Sequence, residues 1–131
     1  MREPAWLDRA LVIYLHTSLV REHGGQQGIR DENLLESALD RPRKKWEYDD
    51  TVDLAGLAAA YGFGLARNHA FLDGNKRIAL MAMYVFLAIN GRELEAPETE
   101  VVNVMTGTAD GTIKEDVLAA WVREHLIKYR A

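Results

Sequence analysis

The stretch Asn75-Lys76-Arg77-Ile78-Ala79-Leu80-Met81-Ala82-Met83-Tyr84-Val85-Phe86-Leu87-Ala88-Ile89-Asn90-Gly91 decides the fold. It reads as a helix from about Asn75 to Asn90, apolar almost all round, with Gly91 as its C-terminal stop. A helix without a polar face belongs in the middle of a bundle. Just upstream, a helix is expected from near Thr51 to about Asn68, burying Leu54, Leu57, Ala58, Tyr61 and Leu65. Gly56, Gly62 and Gly64 each weaken it by about 1 kcal/mol relative to Ala, which suggests close approach of neighbouring helices.

Further out, the pattern stays helical. The first helix is expected over about Ala5 to Glu22, with Pro4 in its first turn and Leu7, Leu11, Tyr14, Leu15 and Leu19 on one face. It stops at Gly24-Gly25, and the loop continues to Gly28. Asp31 caps a second helix carrying Leu34, Leu35, Ala38 and Leu39, which Pro42 is expected to terminate. After a short extended piece at Arg92–Glu95, Pro97 opens a fifth helix with Val101, Val102, Val104 and Met105, closed at Asp110-Gly111. Thr112 and Glu115 have capping-box spacing for a last helix burying Val117, Leu118, Trp121, Val122 and Leu126. Strand-like alternation is nearly absent. The expectation is an all-α, single-domain bundle of about six helices over residues 1–131.

Bulk properties narrow the function. The chain has 131 residues, 48% apolar and 27% charged, which suits one ordinary globular domain. No apolar run approaches the roughly 20 residues needed to cross a bilayer. Arg2, Glu3 and Asp8 interrupt any secretory leader, so the cytoplasm is the expected location and no membrane partner is expected. Cys is absent, which excludes disulfides, thiolate metal sites and cysteine nucleophiles. A net charge of −4 argues against a nucleic-acid surface but allows a local basic pocket.

The chemistry concentrates in Asn68-His69-Ala70-Phe71-Leu72-Asp73-Gly74-Asn75-Lys76-Arg77, the junction between the third and fourth helices. A helix N-terminus presents unpaired N–H groups and partial positive charge to an anion. Gly74 allows a tight turn and close backbone approach, and Lys76 and Arg77 add full charges, Arg with bidentate reach. His69 supplies an imidazole able to take a hydroxyl proton, and Asp73 a carboxylate able to hold Mg²⁺. Phe71 is expected to point inward and anchor the loop. Alone, Asp73-Gly74-Asn75 is an ordinary turn, and Lys76 and Arg77 are solvated charges. Placed together ahead of a helix too apolar to be exposed, they read as a phosphate cradle.

The segment resembles the motif of the Fic family, H-[P]-F-x-x-[D/E]-G-N-G-R-x-x-R. It fills every defining position of the shorter form in the Doc (death-on-curing) toxin branch, H-x-F-x-D-[A/G]-N-K-R. Gly24-Gly25…Gly28-Ile29-Arg30-Asp31, Leu34-Leu35-Glu36-Ser37-Ala38, Phe86-Leu87…Asn90-Gly91 and Thr106-Gly107…Gly111 are similar to the same branch. The resemblance implies the Fic/Doc fold, with His69 as base, Asp73 holding Mg²⁺, Gly74 and Asn75 lining an anion hole, Asn75 contacting phosphate through both side chain and backbone, and Lys76 and Arg77 neutralising phosphate charge. Two departures from the Fic form matter: Lys76 replaces the Gly after Asn, and Leu80 replaces the second Arg. In the Doc branch the Lys goes with reversed ATP and transfer of the γ-phosphate. The resemblance therefore implies a toxin of a type II toxin–antitoxin system, a protein kinase acting on a Ser or Thr of elongation factor Tu. It also implies a separate Phd-like antitoxin whose C-terminal tail docks as a helix in a groove, since this chain carries no inhibitory S-x-x-x-E-G/N helix. Gly74, the Fic-like choice, keeps adenylyl transfer open.

Other residues carry two readings each. Arg67 either reaches the same phosphates or pairs with the end of its helix. Arg30 is read as a surface charge with the cleft as its alternative, and Arg41, Arg43, Lys44 and Lys45 as a solvated run or a contact for an acidic partner. Trp6, Trp46 and Tyr48 either pack or rim a partner groove. His16, His23 and His125 are read as structural or exposed. Two other function classes are a non-catalytic nucleotide- or peptide-binding module and an endoribonuclease. The latter lacks the clustered carboxylates for two metals.

Overall fold

The computed structural model describes residues 1–130. Among them the chain forms α1 (Arg9–His23), α2 (Glu32–Tyr48), α3 (Leu54–Asn68), α4 (Asn75–Ile89), β1 (Arg92–Leu94), α5 (Glu98–Asp110), α6 (Glu115–Glu124) and β2 (Leu126–Lys128). The all-α expectation holds, with one small addition. β1 and β2 pair antiparallel in the register Arg92↔Lys128, Glu93↔Ile127, Leu94↔Leu126. Three-residue strands are too short to show alternation. Leu126 therefore lies in β2 rather than on the last helix. Among the described residues no helix is long and apolar enough to cross a membrane.

The central helix is α3, not α4. Every residue from Ala55 to Gly62 is buried, so α3 has no water-facing side along this length, and α2, α4 and α6 pack around it. Its Ala and Gly side chains make room for those neighbours. A Cβ on Gly64 would stand 3.2 Å from Ala38 Cα of α2, and one on Gly62 would stand 2.5 Å from Met83 Sδ of α4. By contrast α4 leaves Leu80, Met81, Tyr84 and Val85 half-buried and Ile89 exposed. Large side chains cover the core from α4; small ones let α3 run through it.

Several boundaries move for local reasons. α1 begins at Arg9 because Asp8 caps it, accepting from Leu11 N at 2.8 Å. Leu7 is buried ahead of the helix, its N–H donating to Tyr61 Oη at 3.0 Å. The buried face of α1 is Val12, His16, Leu19 and Val20, roughly one residue step (~100°) around from the expected stripe, leaving Tyr14 exposed. α2 does not stop at Pro42, which lies buried inside it. A helix-interior Pro costs about 3 kcal/mol. Tertiary contacts of the second half offset that cost: Arg41 and Lys45 both bind the Glu115 carboxylate of α6, Lys45 at 2.7 Å. The expected basic run is thus largely engaged, with Arg43 also placed over the Trp6 ring at 5.6 Å. α3 starts at Leu54 because Asp53 caps it through Gly56 N at 2.9 Å. Thr112 does not cap α6, whose N-cap is Lys114; it bonds back to Asp110 and Gly107. Val117 is exposed, and the buried face of α6 is Leu118, Ala119 and Val122.

Candidate active site

The α3–α4 junction turns sharply on two left-handed residues. His69 ends α3 at φ 51°, ψ 48°, the one non-glycine with positive φ among the described residues. Such a conformation costs about 1–3 kcal/mol for a residue other than Gly and persists where its surroundings over-determine it. Gly74 opens α4 at φ 75°. Between them, Phe71 is buried, as expected, with its ring stacked on that of His16 at 3.7 Å between centroids.

The loop is held from two sides. The segment before α2 lies alongside it: Arg30 N and Asp31 N donate to Ala70 O at 2.7 and 3.1 Å, Leu72 N donates to Gly28 O at 3.0 Å, and Ile29 and Phe71 form an antiparallel bridge. The Arg30 side chain donates to His69 O at 2.7 Å and Asn68 O at 3.2 Å, closing the carbonyl end of α3 behind the imidazole. Arg30 therefore has a structural partner and is not a free surface charge. From inside, buried Asn75 folds back on Phe71: its Oδ1 accepts from Phe71 N at 3.1 Å and its Nδ2 donates to Phe71 O at 3.0 Å. Its side chain is thus committed to the loop and, against expectation, only its backbone amide is left for a phosphate. Asn75 Nδ2 also stands 3.4 Å from His69 Nδ1. That is too long to fix the tautomer but short enough to orient the ring.

The result is one cavity of about 370 Å³, lined by His69, Leu72, Asp73, Gly74, Asn75, Lys76 and Arg77. All the expected site residues except Arg67 meet there. Arg67 points to the other side, with Nη1 donating to Ala109 O at 3.2 Å and its guanidinium beside Gly111. It ties α3 to the α5–α6 corner. Lys76 and Arg77 also border an apolar recess of about 150 Å³ formed with Leu80, Val101, Val102, Met105 and Thr106. Leu80, at the position of the Fic form's second Arg, faces this recess and makes it apolar.

The electrostatics favour an anion. α1, α2 and α3 have Asp caps, but α4 has no side-chain cap and no acidic residue in its first turn. Its first amides are free to meet a ligand. Lys76 and Arg77 are exposed and form no ion pair among the described residues. Asp73 is the cavity's one carboxylate. Its Oδ2 accepts from Gln26 N at 2.9 Å, and its other oxygen has no hydrogen-bond partner among the described residues. No cluster of three His, Asp or Glu that could hold a metal alone occurs among those residues. One carboxylate with a free oxygen suits Mg²⁺, which binds through one or two carboxylates and the phosphates it accompanies.

Sequence reasoning missed His16 as part of this site and gave the cleft only as the second reading for Arg30. The only signal for Arg30 was its place in the Gly24–Asp31 segment; His16 gave none.

Comparison with known proteins agrees with this architecture. The family model described as the Fic/DOC family matches residues 6–87. The chain is 32% identical over 113 residues to the protein kinase Doc of Escherichia phage P1, covering 86% of this chain and 88% of that one. It is 46% identical over 74 residues to the toxin Doc of Mycolicibacterium smegmatis, covering 56% of this chain and 57% of the relative.

Proposed function

This chain belongs to the Fic/Doc family, and from that premise we propose that it is a Doc-like toxin kinase that transfers the ATP γ-phosphate to a Ser or Thr hydroxyl of elongation factor Tu. The observation that carries the reading is the uncapped N-terminus of α4, open beside His69 and flanked by Lys76 and Arg77, which form no ion pair among the described residues. α1, α2 and α3 are capped by Asp, and α5 and α6, also without side-chain caps, carry acidic residues in their first turns; α4 has neither. Lys76 stands where a Fic adenylyltransferase has Gly, so that side chain and its charge occupy room an α-phosphate would need. Leu80 supplies no second Arg for a distal phosphate. Both favour the γ-phosphate in the cradle.

His69 would take the hydroxyl proton as that oxygen bonds to the γ-phosphorus; the bond to the β–γ bridging oxygen breaks and ADP leaves. Gly74 and Asn75 amides, with Lys76 and Arg77, would meet the phosphoryl oxygens, a preorganised arrangement that needs no reorientation during transfer. Mg²⁺ held by Asp73 and the phosphates would offset the remaining charge. A Phd-like antitoxin is the proposed restraint, its tail laid as a helix on the molecule. The apolar recess of Leu80, Val101, Val102 and Met105 beside two free cations has the chemistry for an amphipathic acidic helix.

The test is incubation with elongation factor Tu and ATP labelled at either the α- or the γ-phosphate, with His69→Ala alongside. Label from the γ position alone, lost in the variant, is the expected result. Label from the α position alone overturns the kinase reading for adenylyl transfer. Growth arrest undiminished in His69→Ala points to a non-catalytic module.

A further inference from the structure

We propose that His16 is a positioning residue for phosphoryl transfer, acting from α1 on the peptide that opens the anion hole; this rests on the nucleotide reading of the site. His16 is buried at 2% exposure, and its Nε2 lies 2.7 Å from the Asp73 carbonyl oxygen. A carbonyl can only accept, so Nε2 carries the proton and donates. The Asp73 C=O and the Gly74 N–H belong to one peptide unit, and no peptide bond among the described residues is cis. In a trans unit the two groups point in opposite directions. Drawing the Asp73 oxygen inward onto His16 therefore turns the Gly74 N–H outward, toward the cavity that Gly74 lines.

The surrounding geometry leaves this peptide little freedom. The His16 ring lies nearly parallel to Phe71, at 15° and 3.7 Å, and Phe71 is itself fixed through both backbone groups by Asn75. A Cβ at Gly74 would stand 3.5 Å from both His16 Nε2 and Val20 Cγ2, so α1 forms the floor beneath the turn. Within this floor the imidazole supplies the polar contact that sets the peptide's direction.

Two variants separate the donor from the stack. His16→Phe keeps the ring on Phe71 and loses the N–H; His16→Gln places an amide N–H at the reach of Nε2 and loses the ring. With folding verified by thermal melting, His16→Phe is expected to lower kcat/KM for ATP about tenfold to a hundredfold, up to the low end of what loss of an anion-hole donor itself costs, and His16→Gln to recover to within about threefold of the parent. In ¹⁵N spectra of the parent, added ATP should shift the Gly74 amide together with those of Asn75 and Lys76, and His16→Phe should lose the Gly74 shift first. A folded His16→Phe with parental kcat/KM overturns the proposal. So does a parent whose Lys76 amide moves with ATP while Gly74 stays still, a result available even if the variant does not fold. Amide shifts without phosphoryl transfer would remove the kinase reading and the positioning role in transfer, leaving His16 only the orientation of the Gly74 amide toward bound phosphate; no ATP-dependent shift from Asp73 to Arg77 would remove both.

Discussion

At the level of single residues, His69 is held in an uncommon backbone conformation by contacts on both sides of it. Arg30 binds the carbonyl behind it, and Asn75 stands beside its Nδ1. Because His69 is exposed and makes no side-chain bond that the fold needs, His69→Ala should leave the melting temperature nearly unchanged while lowering transfer by about a hundredfold to ten-thousandfold. Asn75→Ala should do the reverse in part. It strips the N–H and C=O of buried Phe71 of their partners, so chemical denaturation should show a loss of about 1–3 kcal/mol. The lining of the cavity was legible in the sequence because His69, Asp73 and Gly74 to Arg77 are contiguous. Their supports were not legible. His16 and Arg30 lie 57 and 39 positions from the atoms they hold, and a lone polar residue on a helix face or in a loop carries no pattern.

At the level of elements, the contrast between α3 and α4 is informative. Asp53 caps α3 and also receives two hydrogen bonds from Arg123 of α6, at 2.6 and 2.9 Å. The Arg123 bonds, and then the Gly56 amide, hold its carboxyl below the ordinary value of 3.8, against the opposing effect of burial. A carboxyl whose folded value lies below its unfolded one contributes stability that is complete above pH 3.8 and lost as the pH falls through the folded value. Asp53→Asn keeps a competent cap and removes the charge. Its deficit at neutral pH should stay under about 1 kcal/mol, since the pair is half exposed, and should vanish in acid. Asp53→Ala loses the cap as well, adding about 1 kcal/mol at every pH. Denaturation curves of the two variants at pH 7 and along an acid series falling below pH 3.8 separate the effects, the difference between Asp53→Asn and the parent shrinking as the pH falls. Helix existence was legible from periodicity throughout. Helix ends were less so: Asp8 and Asp53 are single cap residues among many acids, and α2 runs through Pro42 because of its tertiary partner Glu115.

On the scale of the whole molecule, the core is organised around a helix made of small residues, whereas hydrophobicity alone singled out α4. Ala and Gly contribute little to an apolar count, yet they let the backbones of α2 and α3 approach closely at Gly64. The Gly64→Val change places branched carbons against the Ala38 backbone, which cannot retreat as a flexible side chain would. A loss of at least about 2 kcal/mol is expected by thermal or chemical denaturation. The same packing brings the end of α3, the start of α4, the floor of α1 and the Gly28–Asp31 edge to one corner, where the cradle opens. The most direct measurement is a crystal structure of the chain with Mg²⁺ and a non-hydrolysable ATP analogue. The expected result is the γ-phosphate against the Gly74 and Asn75 amides, next to His69, with the metal on Asp73. An α-phosphate in that place, or a nucleotide bound elsewhere with the α4 amides unoccupied, would contradict it.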